Sequence, residues 1–173
     1  MTSELTAAAD PVYRVDVSPH GCFVCGELND QGLHVDLRVA AGRAWTELTL
    51  THHHEGWADV VHGGILAALL DEVMGWALFQ QDCWGVTAEM TVRFKAPVAV
   101  GQRIRVEGRV AEARRRAFRT SGRIVDAASG AVLCTADATY LAVGTTVAAG
   151  LRARYRMRLV PVDAAPIGAD RPA

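Results

Sequence analysis

His62-Gly63-Gly64-Ile65-Leu66-Ala67-Ala68-Leu69-Leu70-Asp71-Glu72-Val73-Met74-Gly75-Trp76-Ala77-Leu78-Phe79-Gln80 decides the fold of this chain of 173 residues. Ile65, Leu66, Leu69, Leu70, Val73, Met74, Ala77 and Leu78 recur at helical spacing, and most other positions are Ala, Gly, Trp or Phe. A helix that is apolar nearly all round is buried rather than laid on a surface. Asp71 and Glu72 in the middle of the run argue against a membrane span. A long helix from about His62 to Gln80, enclosed by the rest of the chain, is expected.

Strand signals lie on both sides of this helix. Before it, Leu33, Val35, Leu37 and Val39 alternate with His34, Asp36 and Arg38. A turn at Ala41-Gly42 leads to a second strand, Arg43 to Leu50, and then to a polar loop from Thr51 to Val61. After the helix, Ala88, Met90, Val92 and Phe94 alternate with Glu89, Thr91 and Arg93, and Ile104, Val106 and Val110 alternate with charged residues. Phe118 to Asp126 and Ala131 to Ala142 are joined by Ala127-Ala128-Ser129-Gly130, a hairpin turn. The order β-β-α-β-β-β-β predicts an α+β fold with an antiparallel curved sheet wrapped around one central long helix, the hotdog architecture. One domain over 21–146 is expected, with tails at 1–20 and 147–173; the ends are rich in Ala, Pro and Asp.

Composition bounds the function. Half the residues are apolar and 21% are charged, as in a globular protein. The net charge of −1 gives no reason to expect nucleic acid or an anionic membrane as partner. The start, MTSELTAAADP, has neither a basic nor an apolar leader region, so a cytoplasmic location is expected. The four cysteines, Cys22, Cys25, Cys83 and Cys134, are then expected as thiols.

Asp71 is the leading candidate for chemistry. Gly64, Ala67, Ala68 and Gly75 lie three, four or seven positions away, a face of small residues that lets a substrate or another backbone come close. A carboxylate there must be paired, protonated or working, because burying it alone costs several kcal/mol. On the helix alone, a structural and a catalytic Asp71 stand equal. His62-Gly63-Gly64 opens the same helix, where the first N–H groups lack internal partners and can meet a ligand oxygen. A tight turn explains the same glycines. Nine positions separate His62 from Asp71, ~13 Å along a helix, so one reacting carbon cannot touch both within a chain. Chemistry using both ends implies a dimer.

The run Gly56-Trp57, Val61-His62-Gly63-Gly64-Ile65 and Leu70-Asp71-Glu72 resembles hotdog thioesterases of the PaaI and 4-hydroxybenzoyl-CoA types. Gly85-Val86-Thr87-Ala88-Glu89-Met90, with Phe94, Pro97 and Gly101 beyond it, is similar to the family's strand after the helix, and the likeness spans about Cys22 to Ala142. It implies an acyl-CoA thioesterase that hydrolyses an acyl- or aryl-CoA without a cofactor, as a homodimer or a tetramer built from dimers. It implies Asp71 as the carboxylate that activates water or attacks, the Gly63 N–H as oxyanion donor, His62 to orient the thioester, and Thr87 to help hold the water. The family's Asn six residues before the motif histidine is here Gly56; Glu55 or His54 are possible substitutes. Two alternatives are a non-catalytic acyl-binding protein, supported by Gly56, and a hydratase or dehydratase of the same fold. The latter is disfavoured because no histidine follows Asp71.

The remaining candidates concern binding. Gly64 and Glu72 are expected near the substrate, with Glu72 pointing ~100° away from Asp71 as a pairing group or a competing carboxylate. Arg114-Arg115-Arg116 is a candidate for the CoA phosphates or simply an exposed turn. Cys22-Phe-Val-Cys25-Gly looks like half a zinc site. His20, Cys83 or His52-His53-His54 are possible completers, but a knuckle with free thiols and no metal is the expectation.

Overall fold

The computed structural model describes residues 10–79 and 83–162. Its central element is α1 (Gly63–Ala77), with Leu66, Leu69, Leu70, Val73, Met74 and Ala77 buried. Each large side chain among them contributes about 1.5–3 kcal/mol on leaving water. Eight strands wrap this helix: β1 (Tyr13–Asp16), β2 (Arg38–Ala40), β3 (Arg43–Thr49), β6 (Gly85–Phe94), β7 (Arg103–Arg114), β8 (Ala117–Asp126), β9 (Val132–Ala142) and β10 (Arg158–Pro161). They run β10-β1-β2-β3-β7-β8-β9-β6, antiparallel throughout. β4 (Glu55–Trp57) and β5 (Val60–Val61) form a separate small hairpin before α1. This is the expected hotdog architecture.

Small residues set how close helix and sheet lie. A Cβ at Gly108 in β7 would stand 2.7 Å from the Val73 carbonyl and the Met74 nitrogen, so the α1 backbone rests on the strand itself. At Gly122 in β8, a Cβ would meet the Leu70 and Met74 side chains at 3.1 Å. Ala136 and Ala138 of β9 continue this shallow lining, and Ile104, Val106 and Ile124 fill the space around it with no exposure.

Several expectations need correction. The alternation from Leu33 to Val39 yields only the three-residue β2. The Leu33 and Val35 N–H groups instead donate to the carbonyls of Phe23 and Val24, at 2.8 and 3.0 Å. The apolar side chains there pack on the Cys22–Gly26 turn and the core rather than continue a sheet ladder. The end segments expected as tails, 1–20 and 147–173, supply β1 and β10, which pair from Tyr13↔Pro161 to Asp16↔Arg158. Most of α2 (Thr145–Tyr155) also lies in the second of these. These elements are short and carry little amphipathic signal; Arg158 meets Asp16 at 2.6 Å. Residues 1–9, 80–82 and 163–173 lie outside the described residues, including Gln80, the expected helix end. No helix among the described residues is long and apolar enough to cross a membrane.

Candidate active site

Asp71 projects from α1 toward β6 and β9. Its Oδ1 accepts a hydrogen bond from the Thr87 hydroxyl at 2.7 Å and another from the Tyr140 hydroxyl at 2.8 Å. The Tyr140 oxygen is also 2.8 Å from the Asp71 carbonyl. No described residue bonds Oδ2. Both hydroxyls therefore hold one carboxylate oxygen and leave the other for water or substrate. Burial, and then the Asp71 charge, push the Tyr140 phenol above its ordinary range, so it remains a donor.

A bulge places Thr87. In β6, Met90, Val92 and Phe94 pair with Ala138, Ala136 and Cys134 on the inner face. Strict alternation would turn Thr87 outward with Glu89, Thr91 and Arg93. Register shifts between Thr87 and Glu89, with Ala88 as the extra residue, so Thr87 pairs with inward-facing Tyr140. One added residue thus aims a hydroxyl at Asp71. The family likeness pointed to Thr87, whereas Tyr140 was missed. Its signal is a lone aromatic after Ala136 and Ala138 on a strand's inner face, whose hydroxyl needs a partner once buried.

At the other end of α1, His62 is the N-cap and its Nδ1 accepts the Gly64 N–H at 2.9 Å. That bond leaves the imidazole proton on Nε2. The Ile65 N–H donates to the His62 carbonyl at 3.0 Å. No described partner takes the Gly63 N–H, so it stays open at the positive end of the helix while Gly64's is used. A Cβ at Gly63 would meet the Phe94 ring at 3.2 Å. Gly63 and Asp71 share one unbroken helix, ~12 Å apart along its axis. A single chain does not bring them together.

Gly56 lies against His62, where a Cβ would stand 2.9 Å from the His62 Cα. The suggested substitutes for its missing amide are engaged locally. The Glu55 carboxylate accepts the Asp59 N–H at 2.7 Å, and the His54 Nδ1 accepts the Thr51 N–H at 3.1 Å.

Glu72 faces away from this site. Oε1 accepts the Trp76 indole N–H at 2.8 Å, and Oε2 lies 3.7 Å from the Cys22 sulfur. Burial pushes its carboxyl up to about 7. A hydrogen bond from Cys25 lowers the Cys22 thiol to about 5, and the same bond raises Cys25. Arg114, Arg115 and Arg116 are exposed on the β7–β8 turn. The Arg116 carbonyl accepts the Ala142 N–H at 2.9 Å, which puts the turn two residues beyond Tyr140 along β9. A cavity of about 490 Å³ lies on the outer face of the sheet among Arg105, Glu107, Arg123 and Asp137, away from Asp71.

Residues 58–133 match the family model of the thioesterase superfamily. The matched segment takes in α1 and strands β6 to β8. A solved thioesterase superfamily protein is 28% identical with a TM-score of 0.65, over 69% of this chain and 59% of that one. The chain thus spans about three-fifths of that relative. The Escherichia coli PaaI protein from the phenylacetic acid degradation operon has a TM-score of 0.61 at 20% identity, over 65% of this chain and 81% of that one. A hypothetical thioesterase from Streptococcus pneumoniae, solved with coenzyme A, has a TM-score of 0.57 at 18% identity, over 60% and 80%. That protein has also been solved with an Asp→Ala or a Thr→Ala change. No curated protein sequence matches the chain. The likeness to hotdog thioesterases of the PaaI type therefore extends from sequence motif to fold.

Proposed function

We propose that this hotdog domain hydrolyses an acyl- or aryl-CoA thioester at a site shared by two chains. The observation that carries this is the Asp71 carboxylate, anchored through Oδ1 by Thr87 and Tyr140 with Oδ2 open. The two positions changed in the Streptococcus pneumoniae structures are an Asp and a Thr sixteen residues apart, the separation of Asp71 and Thr87. Oδ2 takes a proton from a water that adds to the thioester carbon, and the C–S bond then breaks to release the CoA thiolate, which takes up that proton. Alternatively, Oδ2 attacks the carbon directly, expels the thiolate and leaves an anhydride that water cleaves. The Gly63 N–H and the His62 Nε2–H stabilise the negative charge that forms on the carbonyl oxygen.

Edge geometry supports the pairing. β6 is the sheet's terminal strand, ten residues long, with Val86 and Phe94 more than half exposed. An open apolar edge invites a second strand. A two-fold axis between Met90 and Thr91 would set Phe94, which packs at Gly63, opposite the partner subunit's Thr87. Gly63 of one chain would then approach the partner subunit's Asp71. The Arg114–Arg116 turn stands close enough to this end of β9 to meet CoA phosphates.

Mixing two disabled chains tests this. Asp71→Ala removes the carboxylate. Gly63→Pro removes the N–H and suits the backbone of the first helical position, since His62 is already extended at ψ 131°, while its Cβ, 3.2 Å from Phe94, requires that ring to move slightly. In a mixed dimer one site collects both defects and the other neither. With random pairing, activity should recover to roughly a quarter of wild type. Mixed dimers that form yet release no thiol would refute the shared site. The competing reading, an acyl-binding protein without turnover, is favoured by Gly56 alone and predicts acyl-CoA binding with no thiol release by wild type.

A further inference from the structure

The Cys22–Gly26 turn has no part in the site above, yet it gathers donors of one chemical kind. The Cys22 and Cys25 sulfurs and a Glu72 oxygen all lie within 4.8 Å of one another. The His20 Nε2 is 3.4 Å from the Cys25 sulfur. Around a tetrahedral zinc with bonds of ~2.0–2.3 Å, neighbouring donor atoms stand roughly 3.3–3.8 Å apart. The Cys22–Glu72 separation of 3.7 Å and the Cys25–His20 separation of 3.4 Å are edges of that size.

The surroundings are those of ligands rather than chance neighbours. His20 Nδ1 donates to the Ser18 carbonyl at 3.1 Å, which leaves the Nε2 lone pair facing the cysteines. Glu72 is oriented by the Trp76 indole through its other oxygen. The Val24 N–H points at the Cys22 sulfur at 3.4 Å, and the Gly26 N–H closes the turn on the Cys22 carbonyl at 3.0 Å. A Cβ at Gly26 would lie 2.3 Å from the Cys22 nitrogen, so the turn is closed too tightly for a side chain there. Among the described residues, only Cys22, Cys25 and Glu72 are mutually this close; Cys83 and His52-His53-His54 stand apart, and His20 reaches the group through Cys25 alone. The expectation of free thiols rested on a missing pair of ligands; Glu72, fifty residues from Cys22, is the one that was overlooked.

We propose that Cys22, Cys25 and Glu72 bind a zinc ion, with the His20 imidazole drawn in from its place against Cys25 as fourth ligand, and that the ion staples the 20–26 turn to the middle of α1. Two thiolates, an imidazole and a carboxylate are the donor set for zinc, and four protein ligands close the site to substrate, which makes it structural. Binding releases the thiol protons and ties a segment between β1 and β2 to the helix that bears Asp71.

The full chain, purified without chelator, should carry about one zinc per chain by elemental analysis. Cys22→Ser and Glu72→Gln should each lower that ratio. Cobalt exchanged into the wild type should show a thiolate-to-metal charge-transfer band, absent in Cys22→Ser. Should the variants fold poorly, alkylation of the wild type decides: Cys22 and Cys25 should resist modification until a chelator removes the metal. Zinc below ~0.1 per chain with no cobalt band would overturn the site. So would a Cys22–Cys25 disulfide in freshly purified protein, or zinc fully retained in a folded Cys22→Ser, Cys25→Ser double variant.

Discussion

Removing the hydroxyl of Tyr140 tests whether the carboxylate works because it is held. Tyr140→Phe keeps the ring and its packing, so core volume is conserved. It deletes one bond of 2.8 Å to Oδ1 and the contact to the Asp71 carbonyl, while Thr87 still anchors Oδ1 at 2.7 Å. A hydrogen bond to a charged group contributes about 1.5–3 kcal/mol. With one anchor left, part of that appears as misorientation in the transition state, and kcat should fall about tenfold, or ~1.4 kcal/mol. Thr87→Val should behave alike. Both bonds end on one oxygen, so the double variant loses all orientation and should cost more than the product of the singles, about 10²–10³-fold. Neither hydroxyl is assigned to the substrate, so KM should barely move. The assay is thiol release on the best substrate of an acyl-CoA panel, with circular dichroism to show that each variant folds. A folded double variant with wild-type kcat, or a loss confined to KM, would refute the anchoring role.

Asp71→Ala should lower kcat by about 10²-fold or more, as loss of an acid–base or nucleophilic group does; wild-type turnover in the folded variant would move the role elsewhere. Gly108→Ala should lower the Tm by overpacking, about 1–3 kcal/mol, because its Cβ would stand 2.7 Å from α1 backbone; an unchanged Tm would mean that the helix is free to shift. Replacing Arg114, Arg115 and Arg116 by Ala should raise KM for CoA thioesters but not for thioesters truncated before the phosphates. The Gln102 amide, and then Ser129, hold the Asp126 carboxyl down at about 2, below its ordinary 3.8. That bond set stabilises the fold above pH 3.8 and is lost as pH falls toward about 2, so Asp126→Asn should flatten acid unfolding over that range.

The central helix was legible because its signal is local and dense: apolar residues at every helical face can only be buried. The four strands after it were legible for the same reason, each alternating over several residues before a clear turn. β1 and β10 were not, since four-residue strands such as Tyr13–Asp16 carry no alternation long enough to count, and the two pair with each other across nearly the whole chain. The strand predicted at Leu33 failed differently. Its alternation is real, but the Phe23 and Val24 carbonyls take the hydrogen bonds that a sheet neighbour was expected to take. In the site, Asp71 stood out because a charge in an apolar helix demands an explanation. Tyr140 did not, because a tyrosine in a strand demands none until its hydroxyl is seen to be buried.

Asp71 and Glu72 show how two adjacent carboxyls come to different surroundings. Successive helix residues point ~100° apart, so one position of α1 faces β6 and β9 while the next faces the 20–26 turn. Asp71 meets two hydroxyls, which hold one carboxylate oxygen and leave the other without a described partner. Glu72 meets an indole N–H and a cysteine in a more enclosed place, where burial pushes its carboxyl up to about 7. The rotation of α1 about its own axis therefore governs both environments. Gly108, which rests against the Val73–Met74 peptide, fixes that rotation from the sheet side. The 20–26 turn grips the opposite side of the same helix turn through Glu72. A change that frees Glu72 from the turn should thus disturb the Asp71–Thr87–Tyr140 geometry without touching any of its atoms, and Glu72→Leu should lower kcat while leaving KM near wild type.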